Sequence, residues 1–307
     1  MRFGRLAMLP ALVLVYALVA EAGLQIAAYF VQRSTRAQMP IAWVTGNVRV
    51  LCLGDSNTYG IWVDRSQAYP QQLEAIWNQR IETPKLEVLN LGFPGTNSSR
   101  VARELPKMLS TFDPDIVIVM VGVNDFWTLP TPLEDTPPTP SPASFLERHS
   151  LIFRLYYLFQ RGRIANEPEY HRDPNPLRKG AGEHKVRVGD REFDMGYAVA
   201  PPGSEGDITG LAANLLRIVR QARDAETSLY LMTYPSRQYY YYLANNVIRG
   251  LAKESGTPLI NLTAVFLPIC PQNECPEQLL PDGHPNPSGY RLVAETILAR
   301  LAGRGSS

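Results

Sequence analysis

Apolar and polar positions along the chain fall into two alternating patterns. Short runs rich in Val, Ile and Leu predict strands at Val48–Gly54 (VRVLCLG), Leu86–Gly92 (LEVLNLG), Pro114–Gly122 (PDIVIVMVG), Ser228–Pro235 (SLYLMTYP) and Thr257–Thr263 (TPLINLT). Longer segments with helical spacing predict helices at Tyr69–Arg80, Ser98–Thr111 with an interruption at Pro106, Ile208–Ala225, Tyr241–Gly256 and Pro287–Gly303. The third strand is apolar throughout, as a strand covered on both faces should be. Strands alternating with helices predict a three-layer α/β sandwich around a central five-stranded parallel sheet. In such sheets ligands bind beyond the carboxyl ends of the strands.

A third pattern opens the chain. Arg2 and Arg5 precede an apolar run from Leu6 to Val31, and after Pro10 only Glu21 and Gln25 interrupt it, one helical turn apart. At about 1.5 Å rise per residue, such a run spans a bilayer. Ala20-Glu21-Ala22 also fits the small-x-small pattern of a signal cleavage site. The uncleaved anchor is the preferred reading, because a chain beginning at Gly23 would expose Ile26 to Val31. The expected organisation is an anchor or signal segment at 1–32, a linker at 33–46, and a globular domain at 47–307 with an insertion at about 126–207. Arg33 and Arg36 balance Arg2 and Arg5, so charge does not fix the orientation.

Composition narrows the options further. The formal net charge is +1 over 307 residues, which gives no electrostatic case for nucleic acid. Of the three cysteines, Cys52 lies in the first apolar strand and reads as a buried thiol. Cys270 and Cys275 bracket a short turn, and their spacing suits a disulfide. Two free thiols are the other reading, and a zinc site lacks ligands nearby. A disulfide would place this domain in an oxidising compartment, on the outer side of a membrane.

The chemistry gathers at the strand ends. The first strand runs into Gly54-Asp55-Ser56, the second into "NLGFPGTNS", the third into "GVND", and a late loop reads "DGHPN". Each alone suits a turn or a helix cap. Together they supply a serine, glycine amides, an asparagine amide and a histidine, which are the groups that acyl transfer needs. In this order the four blocks resemble the SGNH hydrolase (GDSL esterase/lipase) family, over about residues 47–125 and 208–303. The resemblance implies an SGNH/flavodoxin-like fold and a carboxylic-ester hydrolase. It implies Ser56 as nucleophile, His284 as general base and Asp282 as the acid that orients it. It further implies an oxyanion hole from the Ser56 amide, the Gly95 amide and the Asn124 side chain. Gly95 aligns with the family pattern, while Gly92 serves backbone approach in the turn. One departure stands out: the family spaces its acid and histidine as Asp-x-x-His, whereas here only Gly283 separates Asp282 from His284. Asp282 is therefore either the acid or a turn residue beside Gly283.

The resemblance implies no cofactor and no metal. The expected partners are a small-molecule, lipid or glycan ester and, through the N-terminal helix, the membrane. An O-acyltransferase acting on a cell-envelope glycan, or a non-catalytic binding protein, would use the same fold. The insertion begins with a proline-rich stretch, continues as an aromatic-rich helix at Phe145–Arg163, and ends in a polar hairpin and loop over 164–207. Its helix either packs on the domain, covers the site or rests on the bilayer.

Overall fold

The structure is a computed structural model that describes residues 3–36, 43–126, 146, 150–156, 159, 185–188, 191–194, 205–270 and 275–303. The chain forms two compact units: one comprises 1–42 and 135–164, the other 43–134 and 165–307.

The larger unit is built on β1 (Val48–Gly54), β2 (Leu86–Gly92), β3 (Ile116–Met120), β6 (Ser228–Met232) and β7 (Leu259–Ile260). They form one five-stranded parallel sheet in the order β2-β1-β3-β6-β7. The five expected strands and their all-parallel sheet are therefore present. β1 is the second strand of the sheet, so the chain goes out to β2 at the edge, returns past β1 to β3 at the centre, and continues outward through β6 to β7. The crevice where that order reverses lies between β1 and β3.

Helices flank this sheet in two groups. α3 (Tyr69–Arg80) packs against α8 (Pro287–Ala302). α4 (Ser98–Phe112) packs against α5 (Glu205–Asp224), which packs in turn against α6 (Tyr239–Ser255). Val50, Leu51, Val117, Ile118, Leu231 and Met232 have no exposed surface or almost none, so both faces of the central strands are covered. Each burial of a Val or Leu side chain stabilises the fold by about 1.5–3 kcal/mol before the entropy of ordering it is subtracted.

Two local outcomes differ from the sequence reading, and a third matches it. α4 runs unbroken through Pro106, although proline removes the hydrogen bond to the carbonyl of residue 102. Gln221 of α5 repairs that defect by donating its side-chain amide to the Ala102 carbonyl at 2.9 Å. The last strand is only two residues long and gives way at once to α7 (Leu262–Phe266), capped by Asn261. The hairpin expected in the insertion forms as antiparallel β4 (Lys185–Val188) and β5 (Arg191–Asp194). The proline-rich stretch and most of Phe145–Arg163 lie outside the described residues, except for helix at 151–156 and at positions 146 and 159.

The smaller unit contains α1 (Phe3–Arg36), which continues four residues into the segment expected as linker. Its stretch Leu12–Phe30 is long and apolar enough to cross a membrane. By length and composition a signal sequence passes the same test.

Candidate active site

The site begins with a packing constraint. A Cβ on Gly54 would lie 2.4 Å from the Met120 carbonyl oxygen and 2.2 Å from Thr58 Oγ1. Glycine is needed here for close approach, since Gly54 lies outside the left-handed region. The chain then turns directly into α2 (Ser56–Tyr59). Asp55 caps that turn by accepting from the Asn57 amide at 2.9 Å. The Asp55 side chain is fully buried, and its other oxygen accepts from the Tyr234 hydroxyl. Burial pushes the Asp55 carboxyl up, while Tyr234, Asn57 and His284 pull it down, and burial dominates. Removing the carboxylate by Asp55→Ala would leave Tyr234 and Asn57 donors unpaired in the core. A loss of about 2 kcal/mol in urea unfolding is expected, and an unchanged midpoint would contradict that role.

The turn brings Ser56 to a histidine 228 positions away in the chain. Ser56 Oγ and His284 Nε2 stand 2.8 Å apart. On the far side of the ring, Nδ1 lies 3.0 Å from Asp282 Oδ2. That approach is close enough for ion pairing, but Nδ1 is not aligned with the carboxylate in a regular hydrogen bond. The single-residue spacing accounts for this. Asp282 Oδ1 also accepts the backbone amide of His284 at 3.1 Å, so the carboxylate curls back on its own turn.

Trp62 completes the setting. Its indole N–H donates to Asp282 Oδ2 at 2.7 Å, and its side chain is otherwise 61% exposed. Burial raises the Asp282 carboxyl, but the His284 amide, the imidazole and the Trp62 indole outweigh it and hold the group below its usual value. The loop is fixed at its base, where the Leu280 amide donates to the His284 carbonyl at 2.8 Å and Gln238 Nε2 donates to the Pro281 carbonyl at 2.8 Å. Tyr241 meets the imidazole edge to face at 6.4 Å.

The glycine and asparagine blocks stand at the ends of the two strands beside β1, because Gly54 pairs with Gly92 on one side and Met120 on the other. Gly95 adopts a positive φ of 76° with open space where a side chain would be. The Gly92 amide is already engaged by Asn90 Oδ1 at 3.0 Å. Asn124 sits in the turn after β3 and donates to the Thr96 carbonyl at 3.0 Å, which ties the two blocks together. Asp125 strengthens that tie by accepting the Ser98 amide at 2.9 Å and the Ser98 hydroxyl, which Asn214 also contacts.

A hydroxyl beside an imidazole, backed by a carboxylate, can transfer an acyl group through the serine oxygen. The comparisons agree with that chemistry. A family model for the GDSL-like lipase/acylhydrolase family matches residues 52–292.

The chain belongs to this family.

It is a GDSL-type hydrolase that acts on ester bonds. An acetyl xylan esterase, AlAXEase, has a similar fold at 17% identity and a TM-score of 0.52, over 83% of this chain and 100% of that one. A catalytic mutant of Axe2, an acetylxylan esterase from Geobacillus stearothermophilus, is similar at 15% identity and a TM-score of 0.51, over 85% of this chain and 95% of that one. These likenesses concern the fold. A search of the curated proteins returns no match.

Sequence reading of this GDSL hydrolase named Ser56, His284 and Asp282, and the structure brings these three into contact. It places Gly95 and Asn124 on neighbouring loops joined through Thr96. The sequence reading did not single out Trp62, Tyr234 or Asp125. Asp125 was within reach, since it follows Asn124 in the same block, whereas no sequence pattern links Trp62 to a residue 220 positions later.

Proposed function

We propose that this hydrolase cleaves carboxylic esters with Ser56 as nucleophile, His284 as general base and Asp282 as the orienting acid. The observation that carries this reading is the 2.8 Å approach of Ser56 Oγ to His284 Nε2. Ser56 Oγ attacks the acyl carbon while Nε2 takes its proton. The amides of Ser56 and Gly95 and the side-chain amide of Asn124 hold the developing oxyanion. His284 then returns the proton to the leaving alkoxide, and an acyl-serine remains. Water, deprotonated by the same imidazole, releases the carboxylic acid and restores the hydroxyl. The full chain is expected to hydrolyse p-nitrophenyl acetate and to be labelled once, on Ser56, by a fluorophosphonate. Turnover accompanied by labelling elsewhere would refute the assignment.

Asp282→Asn tests the acid. The carboxylate holds the imidazole in one tautomer and stabilises its charged form, so its loss should lower kcat by about 100-fold. That is less than in a well-aligned triad, because Nδ1 is off-line here. A drop under about tenfold, or about 1.4 kcal/mol of barrier, would leave a Ser56–His284 pair as the machinery.

The same reading places 1–32 as a membrane anchor, 33–46 as the region joining it to the hydrolase domain, and that domain on the outer side of the membrane. Two observations support it: the apolar stretch Leu12–Phe30 and the Cys270–Cys275 disulfide, whose sulfurs are buried.

A further inference from the structure

Ester hydrolysis makes no use of the polar pair inside the apolar N-terminal run. Glu21 sits midway along the stretch Leu12–Phe30, and Gln25, one turn on, donates to Glu21 Oε1 at 2.7 Å. The same carboxylate accepts three bonds from a segment far along the chain. They come from the Leu151 amide at 2.7 Å, the Ile152 amide at 2.9 Å and the Ser150 hydroxyl at 3.0 Å. Ser150 Oγ in turn accepts the Phe153 amide at 3.1 Å and so caps the helix at 151–156.

Two defects cancel here. A carboxylate in an apolar helix is costly unless donors surround it. A helix start has amides without intrahelical partners, and an apolar medium offers them none. Glu21 receives the donors it needs, and the helix at 151–156 gains the acceptor it lacks. Among the described residues the exposed surface around this contact is apolar on both partners apart from Arg154, which is exposed on the helix at 151–156. Leu155 and Tyr156 are 61% and 58% exposed, and Phe159 is 64% exposed. Leu14, Leu18, Ile26 and Phe30 of α1 are exposed as well. An apolar surface whose acid is satisfied internally, with Arg154 on a stem long enough to reach the headgroup region, suits a lipid bilayer and not water.

We propose that α1 is retained in the mature chain and that the helix at 151–156 enters the bilayer beside it, pinned by Glu21. This rests on the membrane reading above and deepens it. Cleavage after Ala22 would discard Glu21 together with the contacts it makes, which gives a physical reason for retention.

The test uses the full chain, produced through a bacterial envelope and reconstituted in phosphatidylcholine–phosphatidylglycerol nanodiscs. Intact mass should equal that of the complete 34.3 kDa chain; a product starting at Gly23 overturns retention. Leu155→Cys and Tyr156→Cys are then labelled with a membrane-impermeant maleimide, beside Glu254→Cys on the exposed side of α6. Native thiols give little background, since Cys52 is buried and Cys270 and Cys275 are bonded. The two insertion sites should react about tenfold or more slowly than position 254. Equal rates with full mass overturn the bilayer placement while leaving the anchor intact. Glu21→Leu should raise the rate at Tyr156→Cys about tenfold, and Glu21→Gln, which keeps an acceptor, should raise it less. Unchanged protection in Glu21→Leu overturns the pin. Hydrolysis of p-nitrophenyl acetate by the same preparations reports that the sheet unit is folded, and none of these readouts depends on which residues perform that hydrolysis.

Discussion

Ser56→Ala is expected to lower kcat/KM for p-nitrophenyl acetate by about 10⁴-fold or more. Among the described residues, the hydroxyl that meets His284 Nε2 is that of Ser56, 2.8 Å away. A barrier increase of about 5 kcal/mol corresponds to that loss. The protein should still fold, since Ser56 contributes little to the core and α2 is capped by Asp55. Circular dichroism and urea unfolding like those of the wild type, with hydrolysis at background, are the expected pair of results. Hydrolysis retained within about tenfold of wild type would remove Ser56 from the mechanism.

Gly54→Ala should act in the opposite way, through stability first. The added methyl would meet the Met120 carbonyl at 2.4 Å and Thr58 Oγ1 at 2.2 Å. Thr58 can rotate, but the Met120 carbonyl belongs to β3 and is held in the sheet register beside Gly54. Relief requires separating β1 from β3 or distorting the turn that presents Ser56. A loss of about 3 kcal/mol or more is expected in denaturant unfolding. Activity should fall even in the folded fraction, because the same movement shifts Ser56 relative to His284. A variant as stable and active as the wild type would mean that the strand ends are looser than this packing implies.

Some features were legible because their cause is local. A strand buried on both faces must be apolar throughout, so Val117 to Met120 announced β3. Proline at its first turn marked the start of α8, and glycine followed its end. The sequence reading of Pro106 went astray for a matching reason. Proline in a helix interior both frees a carbonyl and crowds it, and Gln221 offsets the first of these costs from another helix. The last strand is shorter than its apolar pattern suggests, because Asn261 caps α7 as soon as Ile260 has paired with Met232.

The chain by itself determined the alternation of strands and helices, and hence the parallel sheet. It also determined the order of the serine, glycine, asparagine and histidine blocks at the strand ends. Both follow from spacing between near neighbours, which the sequence displays directly. Only the tertiary structure decided how the groups within the site meet. It turned Asp282 toward both its own turn and the imidazole, and it set the Trp62 indole on the same carboxylate oxygen. It left Asp55 buried next to Ser56 with Tyr234 as its donor, and it matched Glu21 to the amides of Leu151 and Ile152. Apart from the two contacts between Asp282 and His284, each of these joins residues more than a hundred positions apart. A hydrogen bond depends on direction and on a few tenths of an ångström. Those quantities are fixed by how the helices, sheet and loops pack, and no period in the sequence encodes them.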